Sequence, residues 1–160
     1  MPEFTHIEGG AARMVDITAK DEVARRARAA GRIHLRPETL KAIAGGTVVK
    51  GNVLATARVA AVLAVKDTSR TIPMCHPIPI GSIRVDFEQE EDWIEAIVEV
   101  ATTGRTGVEM EALVGVSAAL LTVWDMVKSA EKDDKGQYPV TRIDAIRVVE
   151  KVKGFPGAQP

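Results

Sequence analysis

The chain has 160 residues, with 21 Lys plus Arg against 22 Asp plus Glu and a formal net charge of −1. That length suits one domain. The near-neutral balance gives no global field for nucleic acid, and two Trp, one Tyr and three Phe are too few for a base-stacking surface. A single Cys excludes an intramolecular disulfide and a multi-Cys zinc site, while 46% hydrophobic residues are enough to build a core.

No run of about 18 apolar residues marks a membrane span. The opening MPEFTHIEGG lacks the basic-then-apolar order of a signal peptide. The composition therefore reads as a cytoplasmic α+β protein of one domain over 1–160. Its Gly- and Pro-containing ends, about 1–10 and 154–160, are expected to fray.

The first regular element falls between Glu22 and Arg36. The ending RIHLR suggests a strand in its second half, although VARRARAA also suits a helix. Pro37 opens a short helix, ETLKAIA, which Gly45-Gly46 closes. From Lys50 to Lys66 the chain is Ala-rich and free of Pro, and Val53, Ala57, Ala61 and Val65 share one helical face. This predicts a helix beginning at Lys50, with Gly51 in its first turn.

TIPMCHPIPIGS follows, with Pro73, Pro77 and Pro79. It reads as a rigid loop, since proline is excluded from helix interiors and central strands. Ile83, Val85 and Phe87 then alternate with Arg84, Asp86 and Glu88. After the acidic turn QEED, Ile94, Ala96, Val98 and Val100 alternate with Glu95 and Glu99 facing outward. The two runs predict a hairpin. A Gly-rich turn at 102–107 leads into a long helix from Val108 to Glu131, with Leu113, Val116, Leu120, Val123 and Val127 at 3-and-4 spacing. The β-branched VTRIDAIRVVEKV reads as a last strand, and its apolar spacing would also fit a helix. The order is β-α-β-β-α-β, the ferredoxin-like split arrangement, with helices on one face of an antiparallel sheet.

The long helix is the most informative stretch. In ALVGVSAALLTVWDMV, Asp125 is the only charge, and Lys128 follows one turn later. A helix apolar on nearly all sides is expected to be covered on all sides. In so small a chain, part of that cover must come from another subunit, which would leave Asp125 near a dry surface. The pair reads either as a structural ion pair, stabilising by about 0.2–0.5 kcal/mol on an exposed helix, or as an acid/base couple. Burial raises a carboxylate pKa and lowers that of an ammonium, and mutual attraction does the reverse. Lys50 at a helix start faces the positive end of the dipole. It is then either a solvated lysine, a phosphate contact or a base of depressed pKa.

TTGRTGVEMEA offers backbone amides and Arg105 at a helix N-terminus, a generic anion site without P-loop spacing. Glu109 and Glu111 there either compensate the dipole or accept the paired N–H donors of a guanine-like ring. Two carboxylates would repel a phosphate at the same spot, which assigns the polyanion elsewhere. Arg25, Arg26 and Arg28 read as a polyphosphate clamp or as a solvated basic face. Met74, Cys75 and His76 lie in the rigid loop, either packing or lining a binding wall. The three His and the Cys offer no short metal-ligand spacing apart from the adjacent Cys75-His76 pair.

Together these blocks resemble the cyclic pyranopterin monophosphate synthase family of molybdenum cofactor biosynthesis. The matching blocks are THI at 5–7, MVDITAK at 14–20, KGNVLATARVA at 50–60, IPMCHPIPI at 72–80, TGRTGVEMEAL at 104–113 and WDMVKS at 124–129. The resemblance implies a ferredoxin-like subunit in a homohexamer, a trimer of dimers with active sites at subunit contacts. It implies a lyase that converts (8S)-3′,8-cyclo-7,8-dihydroguanosine 5′-triphosphate to cyclic pyranopterin monophosphate and releases pyrophosphate, with no cofactor and no metal.

By the same resemblance Lys50, Asp125 and Lys128 are catalytic. Met74, Cys75, His76, Met110 and Glu111, with Glu109, hold the ring, and Lys20 and Arg25 neutralise the triphosphate. Where the family pattern carries an acid after Lys-Gly, this chain has Asn52. The competing reading is a non-catalytic, oligomeric nucleotide-binding regulatory module. Such a module needs cations for phosphates but no carboxylate in an apolar helix.

Overall fold

The computed structural model describes residues 5–154. Of the ends expected to fray, residues 1–4 and 155–160 lie outside that range. Within it, β1 (Ile7–Glu8) and β2 (Ala11–Ala12) pair as a small hairpin around Gly9 and Gly10, whose φ values of 59° and 82° suit glycine.

The main sheet is built from β3 (Val23–His34), β4 (Ser82–Gln89), β5 (Trp93–Gly104) and β6 (Arg142–Lys153). Its order is β4-β5-β3-β6, and every pairing is antiparallel. Three helices join β3 to β4: α1 (Pro37–Ala44), α2 (Val53–Lys66) and the single turn α3 (Thr68–Thr71). The long α4 (Glu109–Glu131) joins β5 to β6. The predicted β-α-β-β-α-β order and antiparallel sheet are both present, and the strand order is that of a ferredoxin-like fold.

VARRARAA is strand throughout, so β3 begins a full turn of sequence earlier than the RIHLR reading placed it. The reason is a period of two. Ala27, Ala29, Gly31 and Ile33 face the helices, while Arg28 and Arg32 face away. Small residues are needed on the inner side. A Cβ on Gly31 would stand 2.9 Å from Val116 Cγ1 and 2.8 Å from Ile146 Cγ1, so α4 packs directly on the β3 backbone. Gly115 serves the α2–α4 contact in the same way, since its Cβ would lie 2.8 Å from Val65 Cγ2. β6 follows β3 with two register shifts, and near one of them Ala145 adopts φ 53°.

The core lies between the inner sheet face and α2 and α4. Ile94, Ala96, Val98 and Val100 from β5 meet Val116, Leu120 and Val123 from α4 and Ala57, Ala61 and Val65 from α2. By length and composition α4 could cross a bilayer, but half of its most apolar window is buried within the fold, which accounts for that composition. The outer sheet face carries charge ladders: Arg28 to Glu99 at 2.8 Å, and Glu95 shared by Arg32 at 3.0 Å and Arg147 at 3.3 Å.

Two further boundary differences bear on the site. α2 starts at Val53 rather than Lys50, because Asn52 is its N-cap and accepts a hydrogen bond from the Ala55 amide at 2.9 Å. Gly51 stands outside the helix at φ 104°, a conformation glycine favours. Residues 102–104 continue β5 instead of opening the turn, because β3 offers Val23, Ala24 and Arg25 as pairing partners.

Candidate functional site

Lys50, Asp125 and Lys128 meet at the C-terminal end of α4. Lys128 Nζ donates to Asp125 Oδ1 at 2.7 Å. Lys50 Nζ donates to Asp125 Oδ2 at 3.2 Å and to the Asp125 backbone carbonyl at 2.8 Å. Lys50 arrives not from a helix start but from the turn before the Asn52 cap, so the unfavourable dipole position inferred from sequence does not arise.

The chain itself does not supply the dry surface expected beside Asp125 at a subunit contact: in the single chain the Asp125 side chain is 58% exposed, and those of Lys50 and Lys128 are 47% and 45% exposed. Attraction therefore outweighs desolvation. The Lys128 and Lys50 ammonium groups hold the Asp125 carboxyl below its usual range, and Asp125 raises Lys128.

The ring-binding candidates line a separate cavity of about 440 Å³ at the other end of α4. Lys20, Met74, Cys75, His76, Glu109, Met110 and Glu111 all border it, as do His6 and Thr106, which the sequence did not single out. The proline loop is rigid because it is tied to β5. Thr102 Oγ1 donates to the Pro79 carbonyl, and the Gly81 amide donates to the Ala101 carbonyl at 2.9 Å. On the facing wall, Asp16 Oδ1 accepts from the Thr18 amide at 2.8 Å and turns MVDITAK past the cavity.

Glu111 is only 4% exposed, so it is no surface compensator of the helix dipole. Burial pushes its carboxyl upward, and Glu109 adds to this. Burial likewise raises the Cys75 thiol, with Glu111 contributing. A buried carboxyl beside two methionines, a protonated thiol and an imidazole forms a polarizable wall with one strong acceptor.

Next to it lies a second cavity of about 600 Å³, bordered by Lys20, Arg25, Arg105, Lys151 and Lys153. Arg25 is anchored by its own donors, Nε to the Gly104 carbonyl at 2.9 Å and Nη2 to the Arg105 carbonyl at 3.3 Å. Arg26 and Arg28 do not join it. They pair with Glu150 and Glu99, so the clamp read from three arginines reduces to one.

Glu109, one of the two carboxylates read as repelling a phosphate from this corner, forms an ion pair with Lys151. Lys151 and Lys153 were missed. Their alternate spacing did signal one strand face, but only the pairing of Lys153 with Arg25 and Lys151 with Ala27 brings them to this cavity.

Lys20, Thr106, Gly107 and Glu109 border both of these cavities, so the two are continuous. The trio does not belong to it within one chain. Met110 and Asp125 are fifteen residues apart on one helix, about 22 Å at 1.5 Å per residue. The outer face of α4 between them is apolar or small: Val114, Ser117 and Ala118 are half-buried, and Leu121 is 60% exposed.

Over residues 14–154 the chain matches the MoaC family. A protein of Methanoregula boonei is 70% identical over 154 residues, covering 96% of this chain and 99% of its own length. One of Methanocorpusculum labreanum is 64% identical over 157 residues, with 98% and 99% coverage. One of Pyrococcus abyssi is 58% identical over 152 residues, with 95% and 96% coverage. Each of the three is described as a probable cyclic pyranopterin monophosphate synthase.

Proposed function

The chain belongs to the MoaC family, and on that premise we propose that its active site is composite, with Lys50, Asp125 and Lys128 of one copy facing the ring and phosphate cavities of another. The reaction is that of a cyclic pyranopterin monophosphate synthase. This lyase of molybdopterin biosynthesis converts (8S)-3′,8-cyclo-7,8-dihydroguanosine 5′-triphosphate to cyclic pyranopterin monophosphate and pyrophosphate.

The observation that carries the composite reading is the outer face of α4. Paired antiparallel about a twofold axis between Ser117 and Ala118, it sets Met110 opposite the partner's Asp125 and Val114 opposite the partner's Leu121. Two small residues at the crossing allow close approach, and an apolar seam runs from one cavity to the other trio. This dimer is the unit from which the hexamer would be assembled, in the cytoplasm.

The chemistry follows from that juxtaposition. The cations Lys20, Arg25, Arg105, Lys151 and Lys153 hold the triphosphate. They stabilise the negative charge that gathers on the departing oxygen as pyrophosphate leaves. The Glu111 carboxyl accepts two N–H donors of the guanine-derived ring, which restores to it the stabilisation lost on burial.

Covering the trio with a partner removes water from two ammonium groups. Shielded from bulk water, the two lysines give and take protons during opening of the imidazole part and the later ring closures. Asp125 keeps both lysines in place while they do so. Asn52 caps α2 here, which a carboxylate would do as well, so it has no required part in proton transfer.

Subunit mixing tests the reading. Asp125→Asn and Glu111→Gln proteins, each inactive alone, are unfolded together and refolded. In a twofold dimer, half of the molecules are mixed and one of their two sites is intact, so about a quarter of wild-type activity returns. No recovery in a sample shown to contain mixed dimers would overturn the composite site. The regulatory-module alternative predicts no pyrophosphate from the cyclised nucleotide with any preparation.

A further inference from the structure

The last residue of α4, Glu131, is fully buried, and the proposed chemistry gives it no part. Its carboxylate accepts four short contacts. The Arg36 amide lies 3.1 Å from Oε1 and 3.3 Å from Oε2, Thr39 Oγ1 lies 2.5 Å from Oε1, and Thr141 Oγ1 lies 2.6 Å from Oε2. Arg36 is the N-cap position of α1 and provides no side-chain cap of its own. Glu131 therefore caps α1 from another helix, with a negative charge at the positive end of the α1 dipole. It also ties the entrance of β6 to the same point.

The consequence lies one helix further on. α1 runs into the Gly45-Gly46 turn, and the chain reaches Lys50 only six residues after α1 ends. Between this segment and the last turns of α4 there is a cavity of about 380 Å³, bordered by Thr39, Ala42, Val48, Lys50, Met126 and Ala130. Tight packing does not fix the spacing there. Two polar ties span it, Glu131 on α1 at one end and Lys50 on Asp125 at the other.

We propose that Glu131 is a positioning residue: by fixing α1 against the end of α4, it sets where Lys50 meets Asp125. This rests on the reading of Lys50 and Asp125 as catalytic. In the composite site the groups that hold the substrate come from the other copy, so the effect should fall on turnover and not on substrate affinity.

Glu131→Ala removes the tie, and Glu131→Gln restores it. The amide oxygen still accepts from Arg36 and Thr39, and Thr141 can turn its hydroxyl to accept from the amide nitrogen. For each folded variant, pyrophosphate release gives kcat and KM, and carboxyl carbon NMR gives the Asp125 titration. Glu131→Ala is expected to lower kcat by about tenfold or more with KM unchanged. It should also shift the Asp125 titration upward, because Lys50 withdraws while Lys128 stays. Glu131→Gln should return both to wild type.

If Glu131→Ala does not fold, Thr39→Val removes one tie and is read in the same way. Wild-type kcat and an unmoved Asp125 titration in folded Glu131→Ala, or failing it in Thr39→Val, would overturn the proposal. Full activity in Lys50→Ala would instead overturn the catalytic reading, while the titration shift would still report whether Glu131 positions Lys50.

Discussion

Lys50 grips Asp125 at two atoms, the carboxylate Oδ2 at 3.2 Å and the backbone carbonyl at 2.8 Å, across 75 residues of chain. The second contact distinguishes it from an ordinary surface ion pair, which holds only flexible side-chain ends. A carbonyl near the end of α4 fixes the lysine to the helix itself, and Lys128 completes the set from the next turn.

Removing the trio should stop chemistry without disturbing the fold, because all three side chains are about half exposed in the chain. Asp125→Asn and Lys128→Ala are expected to lower turnover by about a hundredfold or more. Far-UV circular dichroism and sedimentation should match wild type. Wild-type rates in both would show that proton transfer belongs to other groups.

The apolar seam gives a second test. Leu121→Glu places a charge near the middle of the outer face of α4, 60% exposed in the single chain. Dimerisation through this face predicts a smaller species in sedimentation velocity and loss of turnover together. An unchanged assembly with full activity would exclude α4 from the interface.

Glu111 should make stability depend on pH in a direction opposite to most carboxyls. Its folded pKa is raised by burial, so between the ordinary carboxylate range and that raised value the folded state holds more protons than the unfolded one. Stability is greatest below that window and falls as pH rises through it. Glu111→Gln is therefore expected to unfold at a higher temperature than wild type at neutral pH, while losing activity. Calorimetry at pH 4 and pH 7.5 reads the difference, which should vanish at the lower pH.

Cys75 should be a poor nucleophile. Burial keeps its thiol protonated above the usual range. Iodoacetamide labelling at neutral pH is expected to be slower than for a free thiol, and Cys75→Ala should raise KM more than it lowers kcat. Fast labelling would indicate an activated thiolate.

Lys153 tests the phosphate cavity. Its removal takes one cation from the β6 side of that cavity and leaves the ring cavity intact. Lys153→Ala is expected to raise KM, lower kcat and weaken inhibition by pyrophosphate by about tenfold at low salt. Added salt should shrink the difference.

Much of this protein is written locally in its chain. Pro37 and Gly45 bound α1, the 3-and-4 spacing of Val53, Ala57, Ala61 and Val65 gives α2, and the proline run from Pro73 to Pro79 excludes regular structure. These features depend only on neighbours in sequence, so they can be read there. The family motifs follow for the same reason, since each block is contiguous.

What the chain alone did not disclose depends on distant partners. Arg25 and Arg28 look alike in sequence, and only strand pairing sends one to the cation cavity and the other to Glu99. Lys151 and Lys153 acquire meaning from the register of β6 on β3. The sequence assigns part of the cover of the apolar helix beside Asp125 to another subunit, and the chain itself supplies only the rest. The packing of one stripe on the sheet left the opposite stripe, and that carboxylate, open to solvent. Hydrophobic periodicity states which faces must be hidden but not what hides them. That choice is made by contacts between residues far apart in the chain, and here it sets the Lys50–Asp125–Lys128 trio a helix away from the cavity that Met110 and Glu111 border.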